Sequence, residues 1–207
     1  MRAGEKASYQ GYQVCLFPLD YLYCTQVSGP DSFSHCCGHP CDYVGTTTTY
    51  PIYAPCDCIL GHSYPDGNTR VYYTTKKVWT PQGLSYVSFS FTHDNNPPSA
   101  TTFKQGALIG HTGTAGFVTG DHTHIDQSNI SNAPLVSYGI TCSGGNDCWA
   151  LQDSQYPYDI FYLSGSETIV QTQGMNFNTW SGSPIHHGGG FKWWMAKKVI
   201  ERRKNGL

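Results

Sequence analysis

The stretch "LSYVSFSFTH", residues 84–93, constrains the fold more than any other part of the chain. Val87, Phe89, Phe91 and His93 alternate with Ser88, Ser90 and Thr92. A period of two is the signature of a strand with one apolar face, since successive side chains point to opposite sides. Other short runs of the same kind surround it: "YPIYAP", "CILGH", "RVYYTT" and "KKVW". They are separated by strong turn signals, "YPDGNTR" and "NNPPSATT". Aromatics at 14%, charged residues at only 13%, 23 Gly and 12 Pro fit the same picture. The expectation is a mainly β protein of antiparallel strands joined by long loops.

The 207 residues are enough for one domain with a real core plus an appendage. No run approaches the roughly 18 apolar residues that a membrane-spanning helix needs. Near the start, Pro18 and Asp20 interrupt any signal-like apolar core, so no export signal is expected. The last 17 residues carry Lys192, Lys197, Lys198, Arg202, Arg203 and Lys204 against Glu201 alone, a net +5 within a chain whose formal charge is −2. "FKWWMAKKVIERRK" has helix formers and a broad apolar side of Phe191, Trp194, Met195 and Val199. It reads as a basic amphipathic helix that docks on a partner or an anionic surface, or packs on its own domain. The expected organisation is a lead-in over 1–32, a domain over 33–165, a Gly-rich linker over 166–190 and the basic helix over 191–207. An acidic body argues against nucleic acid as the partner.

Nine cysteines are many, and an odd number. Cys142 and Cys148 flank "SGGND" and are placed to close a small loop, and Cys15 with Cys24 similarly. The alternative is a set of reduced thiols.

"GDHTHID", residues 120–126, puts His122, His124 and Asp126 on one side of a strand, with Thr123 and Ile125 on the other. Imidazoles about 6–7 Å apart along a face suit a metal, a reacting group, or one of each. The plain alternative is a polar hairpin edge facing water. His93, closing the apolar alternation, reads either as a core histidine or as a functional one. In the N-terminal half, "SHCCGHPCDYVG" supplies His35, His39, Asp42 and three cysteines. A catalytic zinc site needs three protein ligands and an open position, and such ligands can come from distant strands. A structural zinc site on Cys36, Cys37 and Cys41 is the competitor, though adjacent cysteines are not knuckle spacing. The helical H-E-x-x-H motif is absent.

The run "FTHDNNPPSATTFKQGALIGHTGTAGFVTGDHTHID" resembles the C-terminal signature of the lysostaphin-type zinc endopeptidases, a strand ending in His, a glycine-spaced turn region, then T-G-x-H-x-H. "SHCCGHPCDYVG" followed by "YPIYAPCDCIL" is similar to the family's N-terminal His–Asp segment. The wider interval from His35 to Asp42 departs from the commonest family spacing, and His39 is the competing ligand. The resemblance covers residues 33–127. It implies an antiparallel sheet forming a groove, with zinc bound by His35, Asp42 and His124. His93 and His122 would be the catalytic histidines, and Asp126 would orient His124 through its other ring nitrogen. The implied activity is hydrolysis of peptide cross-links in bacterial peptidoglycan. Such an enzyme, without an export signal, is expected from a bacteriophage, either as a lysin or as a virion tail component contacting other tail proteins through the basic helix. An inactive wall-binding or structural module with the same fold is the alternative.

Overall fold

The computed structural model describes residues 3–21 and 23–162. The expected linker and basic helix, 166–190 and 191–207, lie outside the described residues. Among the described residues fifteen strands run in order: β1 (Ser8–Tyr9), β2 (Tyr12–Gln13), β3 (Tyr23–Gln26), β4 (Cys41–Val44), β5 (Pro51–Tyr53), β6 (Cys58–Tyr64), β7 (Thr69–Tyr73) and β8 (Val78–Thr80). They continue with β9 (Gly83–Ser85), β10 (Ser88–Thr92), β11 (Thr102–Phe103), β12 (Leu108–His111), β13 (Thr123–Ser128), β14 (Leu135–Thr141) and β15 (Asp147–Leu151). The one α-helix among the described residues is α1 (Pro157–Ile160). The expectation of a mainly β, antiparallel architecture holds.

One seven-stranded sheet organises the molecule, in the order β11-β6-β7-β10-β13-β4-β3, with every neighbouring pair antiparallel. β10 lies at its centre, and the alternation read from the sequence explains one of its faces. Val87, Phe89 and Phe91 enter the main core with Tyr72, Phe103 and Phe161. The serine face is buried as well: Ser88 and Ser90 are 0% and 1% exposed. Ser88 Oγ donates to the Ile130 carbonyl and accepts from the Ala133 amide, so the segment after β13 covers this side. The Ser88 hydroxyl is tolerated because its hydrogen bonds are made, whereas Ser90 Oγ is buried without a partner among the described residues.

The turn signal "YPDGNTR" becomes the β6–β7 connection. Gly67 and Asn68 adopt φ of +58° and +53°, the left-handed region that glycine and asparagine enter at least cost. β8, from "KKVW", pairs with β9 in a separate hairpin.

The cysteine expectations need correction. Cys36 bonds to Cys142 and Cys37 to Cys148, with Cα–Cα separations of 5.4 and 5.9 Å. Cys142 and Cys148 do not close their own loop. Thr141 faces Asp147, so Cys142 lies on the turn side of that pair and Cys148 on the other. Each is met instead by a cysteine of the loop before β4. Cys15, Cys24, Cys41, Cys56 and Cys58 are buried thiols outside any disulfide. The thiolate site on Cys36, Cys37 and Cys41 is therefore not formed: two of its members are oxidised and the third is a core side chain.

Candidate metal centre

Two paired strands set the floor of the site. In the β4–β13 register Asp42 stands directly opposite His124, which places their side chains on the same face. His35 arrives from the irregular loop that precedes β4 and is 3% exposed. Its Nε2 lies 3.0 Å from His124 Nδ1 and 3.4 Å from Asp42 Oδ1. His124 Nδ1 is 3.2 Å from the same carboxylate oxygen. A tetrahedral ion with bonds of about 2.0–2.1 Å has ligand–ligand edges of roughly 3.3–3.4 Å. The three donor atoms form a triangle of that size and fit a divalent cation of the zinc type.

The charges fit as well. Burial pushes Asp42 upward, but the hydrogen bond from His124 and the charges of the surrounding histidines outweigh it and hold the carboxyl at about 2. Burial, then the neighbouring His124, lowers His35 to about 3. Burial also disfavours charge on His124, but the Asp42 carboxylate raises it overall. A cation would compete with a proton for His124 Nδ1, since ligating histidines must be neutral. His35 Nδ1 is buried without a hydrogen-bond partner among the described residues, so no protein acceptor orients that ring.

His93 and His122 lie beside this triangle with ring centroids 4.5 Å apart. His122 Nε2 is 3.7 Å from Asp42 Oδ2. Both rings are oriented by main-chain carbonyls. His93 Nδ1 is 2.7 Å from the Ala115 oxygen, and His122 Nδ1 is 2.9 Å from the Gly120 oxygen. A carbonyl only accepts, so each Nδ1 carries a proton, and in the neutral ring Nε2 is the nitrogen with the lone pair. Burial lowers His93 to about 4, which favours its neutral form near neutral pH.

His93 also departs from the strand in which the sequence pattern placed it. β10 ends at Thr92, and His93 has φ +82°, a strained value for a non-glycine residue. Its amide donates to the Gly67 carbonyl and its carbonyl accepts from the Ala115 amide. A Cβ on Gly113 would come within 2.2 Å of the His93 carbonyl oxygen. Only glycine lets the 113–116 segment approach closely enough to hold the histidine turn. The same Gly113 exchanges two main-chain hydrogen bonds with His122, at 3.0 and 3.1 Å. One segment thus positions both histidines, and the spacing in "GHTGTAG" is its trace in the sequence.

His39 is not among the converging donors; it stacks on Tyr156 with ring centroids 3.7 Å apart. Asp126 is fully buried, but its hydrogen-bond partners are not the ring of His124. It accepts from the Leu151 amide at 2.5 Å, from Ser154 Oγ at 2.6 Å and from the Gln127 amide at 2.9 Å. The role expected for it, orienting His124, is corrected: it ties β13 to the end of the β14–β15 hairpin. Ser154 and the two disulfides had no clear sign in the sequence, because each partner lies more than 25 residues away along the chain.

No family model matches the chain. Morphogenesis protein 1 of Bacillus phage B103 is 34% identical over 174 residues, which cover 82% of this chain and 45% of that protein. The chain thus spans less than half the length of this curated relative. Among solved structures, a zinc-containing peptidase from Vibrio cholerae is similar over 56% of this chain and 37% of its own, at 20% identity and a TM-score of 0.42. Helicobacter pylori Csd3 is similar over 60% of this chain and 36% of its own, at 15% identity and a TM-score of 0.38.

Proposed function

We propose that the chain is a zinc-dependent endopeptidase that hydrolyses peptide cross-links of bacterial peptidoglycan, acting as a phage virion tail component at entry. The observation that carries this reading is the convergence of His35 Nε2, Asp42 Oδ1 and His124 Nδ1 within 3.4 Å beside two oriented histidines. His35, Asp42 and His124 would hold the ion. Zinc so held supplies a Lewis acid for the peptide carbonyl and makes water acidic near neutral pH.

The remaining chemistry falls to His93 and His122. With Nδ1–H donated to a carbonyl, each ring has one basic nitrogen left for the reacting groups. One takes the proton of the attacking water and returns it to the departing amine. The other, His93, is held neutral by burial, so its Nε2 accepts a hydrogen bond from the attacking water and orients it. His122, the nearer to Asp42, is assigned the first role. No glutamate base is required.

The phage relative, described by its name as a morphogenesis protein, supports placement in the particle. Contact with other tail proteins through residues 191–207 belongs to the same proposal, as does the division into segments 1–32, 33–165, 166–190 and 191–207. The test combines metal analysis with hydrolysis. The full chain is expected to hold one zinc, and His35→Ala, Asp42→Ala and His124→Ala to lose it. Purified peptidoglycan should yield new amino groups in a chelator-sensitive manner. Retention of zinc by all three variants would overturn the ligand assignment.

A further inference from the structure

The three ligands are not held alike. Asp42 and His124 stand on paired strands, whereas His35 sits in a loop with no strand pairing of its own. Its local support is slight: the His35 amide donates to Ser32 Oγ, and the His35 carbonyl accepts from the Gly29 amide. The two residues that follow it are both cysteines, and both are bridged to one hairpin. Cys36 reaches Cys142 at the end of β14, and Cys37 reaches Cys148 within β15. The Gly144 amide donates to the Phe33 carbonyl, extending the contact to the other side of His35.

The hairpin is also anchored to the strand that bears His124. Asp126, two residues beyond that histidine, accepts from Leu151 and Ser154, and Ser154 Oγ in turn accepts from the His39 amide. One element therefore grips the loop of His35 by two covalent bonds and the strand of His124 by a buried carboxylate. Two bridges, one at the turn just after β14 and one within β15, prevent the loop from pivoting about a single attachment.

We propose that the two disulfides are positioning bonds for His35 and make the metal site dependent on oxidation. With both formed, the β14–β15 hairpin holds His35 against Asp42 and His124. With both reduced, His35 leaves the triangle and the cation is held by two ligands only. Formation of each bridge removes two protons and two electrons from a pair of thiols. The acceptor is a low-molecular-weight disulfide, which is reduced to two thiols in exchange. The site would stay open in a reducing compartment and close outside it. This inference rests on the reading of His35, Asp42 and His124 as metal ligands.

Cobalt(II) is the probe, because its visible spectrum separates nitrogen and oxygen ligation from thiolate ligation. The oxidised full chain is expected to bind one cobalt without a thiolate band. Replacing all four cysteines, in Cys36→Ala/Cys37→Ala/Cys142→Ala/Cys148→Ala, is expected to weaken cobalt binding 10–100-fold, the range typical of groups that orient ligands. The far-UV circular dichroism of the sheet should persist. Restoring one bridge, as in Cys36→Ala/Cys142→Ala, should give an intermediate affinity. If the fourfold variant does not fold, reduction of the folded wild-type chain by a phosphine serves instead, and metal release to a chelator should accelerate at least tenfold. Unchanged affinity in the variants, or unchanged release on reduction, overturns the proposal. An oxidised chain that binds no cobalt instead overturns the ligand reading beneath it.

Discussion

The β4–β13 pair and the loop that carries His35 solve the same problem by different physics. On β4 and β13, register alone puts Asp42 opposite His124, and the ladder on either side holds them there. A one-residue slip would turn each side chain to the other face, so the core residues Tyr43 and Ile125 fix the pairing that sets Asp42 opposite His124. The loop has no ladder. His35 is followed by two cysteines that are bonded to a distant hairpin. On the proposal above, a site built half on a sheet and half on a tethered loop would separate robustness from assembly: the sheet half would exist once the core has folded, and the loop half would wait for its disulfides.

The comparison can be broken most forcefully at the tethers. The bridged cysteines are 106 and 111 residues apart, and closing loops of that size removes much of the unfolded chain's freedom. The two bridges close nearly the same loop, so removing one while the other stands should cost about 2–3 kcal/mol and removing both considerably more, read as a fall in the urea midpoint. A loss under about 1 kcal/mol would mean that the loop is held by something else. The Asp126→Ala change is next. It leaves the Leu151 and Gln127 amides and the Ser154 hydroxyl without their acceptor, and the expected cost is about 3 kcal/mol in chemical denaturation. This tests whether the hairpin is anchored to β13 at all.

Gly113→Ala sharpens the comparison on the catalytic side. The new methyl meets the His93 carbonyl, so a stability loss of about 1–3 kcal/mol should accompany a larger loss of hydrolysis, with zinc content unchanged. The smallest effect is expected for His39→Ala. The ring stacks on Tyr156 and contributes about 1 kcal/mol or less, and metal analysis should find zinc undiminished. Loss of the ion in that variant would transfer the third ligand from His35 to His39.

Local signals were readable where local physics decides the structure. The alternation in residues 84–93 gave a central strand, and "YPDGNTR" gave the β6–β7 reversal, because side-chain periodicity and left-handed turn residues act within a few positions. What sequence alone missed depends on distant partners. The alternation of residues 84–93 says nothing of what lies over Ser88, which the segment after β13 covers. His93 looked like the next residue of the strand, but the Gly113 segment draws it out of register. Cys142 and Cys148 looked like partners because only their sequence separation was visible. The five candidate residues of the site lie close together in the fold, yet Asp126 serves a different neighbour from the one its position beside His124 implied.

The central claim is that two histidines beside a three-ligand metal site cut peptide bonds in the wall. The most direct measurement is the release of new amino groups from purified peptidoglycan by the zinc-loaded chain and by its His122→Ala variant, with metal content determined on the same samples. The account predicts release that a chelator abolishes, and a variant that keeps its zinc but loses at least a hundredfold in rate, the lower end of what a positioned acid–base group contributes. Zinc bound by both proteins with release by neither, or with equal release by both, would contradict it.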